Sequence, residues 1–195
     1  MALRDEQPTV RYDAVRAHTT DPEPRSLMTD SRFCTRCGTA LLRAERDGAV
    51  RWQCGDSDCG WIAYENPTPV VAAIVELGDD VVLVQNRGWP STWFGLVSGF
   101  LERAEEPEDG IRREIAEELG LTCRTVELVG VYGFEAMNQV IIAYHVVAQG
   151  DPVAGEELEA FKRVPIEKLR PWAMGTGRAV SDWLARRKEE DDAKR

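Results

Sequence analysis

The chain has 195 residues, 43% of them hydrophobic, enough for one medium domain plus a small module. Its 24 Lys+Arg against 34 Asp+Glu give a formal net charge of −10, which argues against broad duplex nucleic-acid binding, where cationic side chains neutralise phosphates. No apolar run approaches the roughly 18 residues needed to span a membrane, and the opening MALRDEQPTVRYD lacks the apolar core of a signal peptide, so a soluble, cytoplasmic protein is expected.

Residues 1–30 are polar and interrupted by Pro8, Pro22 and Pro24, and read as a flexible arm. A cysteine-bearing unit follows over residues 31–67. Cys34-Thr35-Arg36-Cys37 and Cys54-Gly55-Asp56-Ser57-Asp58-Cys59 are two cysteine pairs separated by sixteen residues, and Asp47-Gly48 between them supplies a two-residue hairpin turn. Four thiolates from two such corners match a closed tetrahedral zinc site of ribbon type, structural rather than catalytic. Two disulfides or four unrelated thiols are the alternatives. A reducing compartment disfavours the first and the Phe33-Cys-x2-Cys-Gly context the second. Cys123, the odd one out, reads as an ordinary thiol. The Asn66-Pro67-Thr68-Pro69 segment marks the boundary, since two prolines interrupt regular pairing.

From Val70 the pattern becomes α/β or α+β. Val70 to Leu77 reads as a buried strand, Gly78-Asp79-Asp80 as a turn, and Val81 to Gln85 as a returning strand. A helix is expected over roughly Glu108 to Leu119. Strands are expected over Val126 to Tyr132 and Gln139 to Val147, rich in β-branched and aromatic residues. A C-terminal helix over Ala179 to Arg187 carries Val180, Trp183 and Leu184 on one side.

Within the first helix, Ile111, Ile115 and Leu119 recur every four residues, a stripe that docks on a core. Glu114, Glu117 and Glu118 stand at i, i+3 and i+4, so their carboxylates cluster on a neighbouring strip. Like charges so placed repel in a bare helix, and a divalent cation reverses that sign. Hard carboxylate oxygens suit Mg²⁺ or Mn²⁺, which prefer a few protein carboxylates plus phosphate oxygens. A solvated acidic face is the bland alternative for a lone E-x-x-E-E. Here the spacing extends further: Gly99 to Leu121 reads G-x5-E-x7-R-E-U-x-E-E-x-G-U, with U a bulky aliphatic and every fixed position filled. Average residue frequencies put a chance match on the order of one in a million, which argues against the bland reading.

This pattern resembles the Nudix box, the signature of hydrolases that cleave nucleoside diphosphates linked to another moiety. The resemblance covers roughly Thr68 to Lys188 and implies a Nudix α/β/α sandwich with a mixed sheet, set over residues 68–190. By match to the box, Glu117 and Glu118 are expected metal ligands and Glu114 a further ligand or the base for a water. Gly99 is expected to let its carbonyl coordinate. Arg113 is expected to orient a box glutamate through a charge-assisted hydrogen bond, and Glu105 to hold Arg113 or the metal's outer shell. Nudix enzymes often add an acid from a downstream loop. Gly155-Glu156-Glu157-Leu158-Glu159-Ala160-Phe161, just before a short strand, resembles that loop, with Glu157 the better fit and Glu156 the next.

A ribbon preceding a Nudix domain through Tyr64-x-Asn66-Pro67 resembles the NADH pyrophosphatase branch and its zinc-bearing relatives. That branch carries an S-Q-P-W-P-F-P-type motif downstream of the box. The corresponding stretch here, Val131 to Gln139, lacks its prolines and tryptophan. Phe134, Met137 and Gln139 occupy the region and are expected to line the nucleotide pocket. Trp93 and Phe94, entering the box, read as packing residues, and His18 and His145 as structural. Zinc-ribbon Nudix relatives are often dimers, so a homodimer is expected by resemblance.

The resemblance therefore implies metal-dependent hydrolysis of the pyrophosphate bond in a small dinucleotide-type substrate such as NADH, FAD or ADP-ribose. The negative net charge is compatible with an anionic nucleotide, because bound metal supplies positive charge locally. The alternatives are a house-cleaning hydrolase of damaged nucleoside triphosphates, and a nucleotide-sensing binding protein whose ribbon recognises RNA or protein.

Overall fold

The computed structural model describes residues 33–193; the arm expected over residues 1–30, with His18, lies outside them. The chain divides between Tyr64 and Glu65 into two compact units.

In the first unit, β1 (Leu41–Arg46), β2 (Ala49–Cys54) and β3 (Ile62–Ala63) form an antiparallel sheet in the order β1-β2-β3. Arg46 pairs with Ala49 around Asp47 and Gly48, whose φ angles of 51° and 76° give the primed turn that matches strand twist. Among the described residues of this unit the buried hydrophobics are Cys34, Leu41 and Ala63. Such a core is too small to hold a sheet unaided, which calls for a staple.

The second unit contains β4 (Thr68–Leu77), β5 (Asp80–Asn86), β6 (Val97–Phe100), α1 (Pro107–Leu119), β7 (Thr122–Phe134), β8 (Gln139–Gln149), β9 (Leu158–Pro165) and α2 (Gly177–Ala193). Its sheet runs β7-β8-β4-β5-β9, with β6 paired to β4. Strands β4 and β8 are parallel and the other pairs antiparallel, so the sheet is mixed. Alternate residues of β4 serve opposite layers. Val71, Ala73 and Val75 belong to the core containing Ile111, Ile115 and Leu119 of α1. Val70, Ala72 and Ile74 belong to the core containing Ala179, Val180 and Trp183 of α2. A strand covered on both faces reads as an unbroken apolar run, and the result is an α/β/α sandwich.

Several elements exceed their sequence bounds for physical reasons. Strand β7 runs well past Val126–Tyr132 at both ends. It is an edge strand with two register irregularities against β8, and Leu128 and Val131 are exposed, so its residues do not alternate cleanly. Helix α2 continues to Ala193 through a polar, exposed stretch that carries no apolar stripe to read. Strand β9 begins at Leu158, so the segment read as loop up to Phe161 is already sheet beyond Glu157. Strand β6 stands between the returning strand and the helix, where the sequence pattern predicts no element; its four residues pair with the first half of β4, Gly99 opposite Val71.

Candidate active site

Helix α1 presents its apolar stripe to the sheet and its carboxylates to the strand that carries Gly99. The close approach of these two elements depends on Gly99 having no side chain. A Cβ there would collide with the carboxylate of Glu114, so the absent side chain admits that carboxylate over the backbone of β6.

Arg113 organises the cluster with all of its guanidinium nitrogens. Nε and Nη2 donate to the two oxygens of Glu105 at 2.8 and 3.0 Å, a bidentate pair. Nη1 donates to Glu114 Oε1 at 2.7 Å and to Glu117 Oε2 at 3.0 Å, and Nη2 also reaches the carbonyl of Phe100 at 3.2 Å. Glu105 in turn accepts the Glu102 backbone N–H at 2.9 Å. The arginine hydrogen bonds, and then that amide, hold the Glu105 carboxyl down at about 2. Arg113 is held more firmly protonated, first by its bonds to Glu105.

Glu118 has the opposite environment. It is 5% exposed, and its Oε2 is buried without a hydrogen-bond partner. Burial first, then the charges of Glu114, Glu157 and Glu117, push its carboxyl up to about 8. Burial also raises Glu114, against the pull of Arg113. Leaving a buried carboxylate oxygen unpartnered is unfavourable, and the nearby cation is already engaged by Glu105, Glu114 and Glu117. Several hard oxygens around an orphaned acceptor fit a divalent cation of the Mg²⁺ class.

These residues line one cavity of about 690 Å³. Gly99, Arg113, Glu114, Glu117, Glu118, Glu156 and Glu157 are all on its wall, and Glu105 is tied to it through Arg113. Phe134, Met137 and Gln139 are not. Phe134 packs against the core beneath α2, Met137 stands exposed in a short 3-10 turn, and Gln139 opens β8. The cavity also takes in Asn86, Ser98, Phe100, Leu101 and Glu102. Most of these flank the first box glycine, so their place was readable, although their residue types signal no chemistry. Asn86 ends an apolar strand and carries no sequence signal.

Phe94 is partly buried and packs against the α2-side core, with Lys162 Nζ 4.0 Å from its ring centre. Trp93 is largely exposed, which departs from its reading as a packing residue. His145 meets Glu76 at 2.9 Å in a cluster with Arg187 and Trp183. Cys123 is partly buried against the α1-side core.

In the first unit, the sulfurs of Cys34, Cys37, Cys54 and Cys59 all lie within 4.8 Å of one another, and none forms a disulfide. Cys37 and Cys54 are 3.4 Å apart, Cys34 and Cys59 3.8 Å. Tetrahedral coordination at a Zn–S length near 2.3 Å places sulfurs about 3.8 Å apart. Backbone N–H groups of Arg36 and Asp56 donate to Cys34 Sγ and Cys54 Sγ at 3.4 Å, orienting these sulfurs. The four sulfurs thus fit a closed metal site.

The NUDIX domain family model matches residues 66–184. The chain belongs to the Nudix family. It is 24% identical over 157 residues to the NAD-capped RNA hydrolase NudC of Pseudomonas putida, covering 80% of this chain and 55% of that protein. To the protein of the same name from Pseudomonas aeruginosa it is 26% identical over 143 residues, covering 72% of this chain and 50% of the other. The chain therefore spans about half the length of these curated relatives. A NUDIX hydrolase from Nitrosomonas europaea superposes with a TM-score of 0.62 at 26% identity, over 71% of this chain and 80% of that one. Nudix hydrolases use divalent metal ions, in keeping with the acidic cavity. No helix among the described residues is long and apolar enough to cross a membrane.

Proposed function

We propose that this chain is a metal-dependent pyrophosphohydrolase that cleaves the diphosphate bond of a dinucleotide-type substrate such as NADH, FAD or ADP-ribose. The reading rests on one observation above the others: Glu118 is buried with an unpartnered oxygen among further carboxylates on the wall of a cavity. In this reading Glu117, Glu118 and the Gly99 carbonyl hold Mg²⁺ or Mn²⁺. When bound, such a cation neutralises phosphoryl charge and makes a water more acidic. Arg113 fixes Glu114 and Glu117 through the hydrogen bonds described above, with Glu105 as its anchor. Glu157, or Glu156 beside it, adds the downstream carboxylate. The oxygen of water bonds to one phosphorus as the bridging P–O bond breaks. Its proton passes to a carboxylate of the cluster, Glu114 or Glu157, and two phosphate monoesters leave.

Zinc in the four-cysteine site is assigned a structural role, and the assembly is proposed to be a cytoplasmic homodimer. The names of the relatives favour a second substrate reading, NAD-capped RNA. The stretch that stands in place of the family's proline-tryptophan motif, Phe134 to Gln139, offers few polar groups for discriminating one dinucleotide from another beyond Asn138 and Gln139, so the proposed selectivity is broad.

A substrate panel under one metal condition, read by product identity, tests the proposal. NADH, FAD and ADP-ribose should each release AMP, with NADH preferred by less than about tenfold, because strong discrimination needs buried polar groups that a wrong ligand leaves unpaired. Preference for NAD-capped RNA would favour the second reading. Preference for an oxidised nucleoside triphosphate would move the protein to the house-cleaning class, and binding without turnover would make it a sensor.

A further inference from the structure

Strand β5 ends at Asn86, where its pairing with β9 shifts register. Gln85 lies opposite Ala160 and Asn86 opposite Leu158, so Glu159 is skipped. Such bulges re-aim side chains beside functional sites. The next amide, Arg87 N–H, donates to the carbonyl of Glu157 at 2.9 Å, which ties this strand end to the downstream acidic loop. Asn86 lines the same cavity as the glutamates, and its Oδ1 is buried without a hydrogen-bond partner.

Two unpartnered buried acceptors, Asn86 Oδ1 and Glu118 Oε2, therefore stand on the wall of one cavity. No donor among the described residues reaches either oxygen, and Arg113 directs its hydrogens to Glu105, Glu114, Glu117 and the Phe100 carbonyl. An electron-poor group entering the cavity from outside the chain would satisfy both oxygens at once. We propose that Asn86 Oδ1 is the neutral oxygen of the divalent-cation site, contacting the cation or the water that it holds. The inference rests on the cation assigned to the α1 carboxylates under the proposed function. A carboxamide suits this place better than a further carboxylate. It adds a hard oxygen to the set without adding charge that would repel an anionic diphosphate.

Titration of Mn²⁺ alone into folded protein freed of Mg²⁺, followed by calorimetry or by the free-ion paramagnetic signal, tests the assignment. Asn86→Ala should weaken Mn²⁺ binding by about fivefold to tenfold. Asn86→Asp, which presents oxygen at both terminal positions, should bind at least as tightly as the native chain. In metal-free protein, Asn86→Ala should leave the melting temperature unchanged or raised, because it removes a buried acceptor that has no donor. Asn86→Asp should lower it through repulsion. An Mn²⁺ affinity within about twofold of native for Asn86→Ala, with a lowered melting temperature, would assign the residue a purely structural role and overturn the proposal. Glu118→Gln separates the two levels. If it abolishes binding while Asn86→Ala does not, only the role of Asn86 falls. If the native chain binds no Mn²⁺, the cation reading falls and this proposal with it.

Discussion

Gly155 donates its backbone N–H to the carbonyl oxygen of Glu118 at 2.8 Å. The last carbonyls of a helix have no partner within it, and here the segment between β8 and β9 supplies them, with Val153 N–H reaching Leu119 O at 2.9 Å. That cap brings Glu156 and Glu157 to a cavity built by a motif far earlier in the chain. A Cβ on Gly155 would run into the Glu117 carbonyl, so the contact admits only glycine.

Gly155→Ala should therefore push the loop off the helix end. The expected outcome is a loss of about 1–3 kcal/mol in stability from overpacking, together with a fall in kcat/KM beyond that of Glu157→Gln. Urea denaturation and steady-state kinetics on both variants check this. A Gly155→Ala protein with native turnover would detach the loop from catalysis.

Arg113→Lys tests the fork that ties Glu105 to the cluster. Lysine offers a point charge and cannot make the bidentate pair, so kcat/KM should fall by about a hundredfold or more. The pair also sets a pH dependence. Glu105 is held at about 2, below its ordinary 4.5. Its contribution to stability is thus fully present above about 4.5 and is lost as pH falls through about 2. Urea midpoints measured between these limits should decline in the native protein more steeply than in Arg113→Met. Parallel declines would contradict the coupling.

The sign reverses at Glu118, whose carboxyl stands at about 8 against an ordinary 4.5. Between those values the folded protein keeps a proton that the unfolded chain has released, so this group's contribution to stability decreases as pH rises. A divalent cation competes with that proton. The rise in melting temperature on adding Mg²⁺ or Mn²⁺ should grow with pH through the same window, and Glu118→Gln should flatten both effects. A cation effect independent of pH would argue against Glu118 as the ligand.

For the cysteine site, protein purified without added zinc should carry about one zinc per chain. Cys37→Ser should unfold the first unit or promote aggregation, since structural metal binding is coupled to folding. Elemental analysis and circular dichroism read these outcomes. Absence of zinc, or two mapped disulfides in reduced protein, would contradict the assignment.

The sequence was most informative where geometry is local. The stripe Ile111, Ile115, Leu119 predicts which face of α1 is buried, and the double-sided burial of Val70 to Val75 is written in their unbroken apolar run. Legibility failed where contacts are distant. Asn86 and Glu118 stand on one cavity wall because β5, β9 and α1 meet there, and nothing local to residue 86 signals it. The segment from Phe134 to Gln139 lies apart from that wall. Its position matches a family motif, yet its side chains are set at the β7–β8 connection and off the wall of the acidic cavity. Gly99 could be recognised as obligatory, although the neighbour that makes it so, the Glu114 carboxylate, is visible only in three dimensions.

The role of Glu118 as a cation ligand is decided by kcat of Glu118→Gln on ADP-ribose or NADH with Mg²⁺, alongside its melting temperature without metal. Glutamine keeps the shape of the buried side chain and removes the charge proposed to hold the cation. At least about a hundredfold lower kcat is expected, the scale of a metal-supplied charge stabilisation, with a metal-free melting temperature equal to or above native. Near-native turnover in a folded Glu118→Gln protein would contradict it.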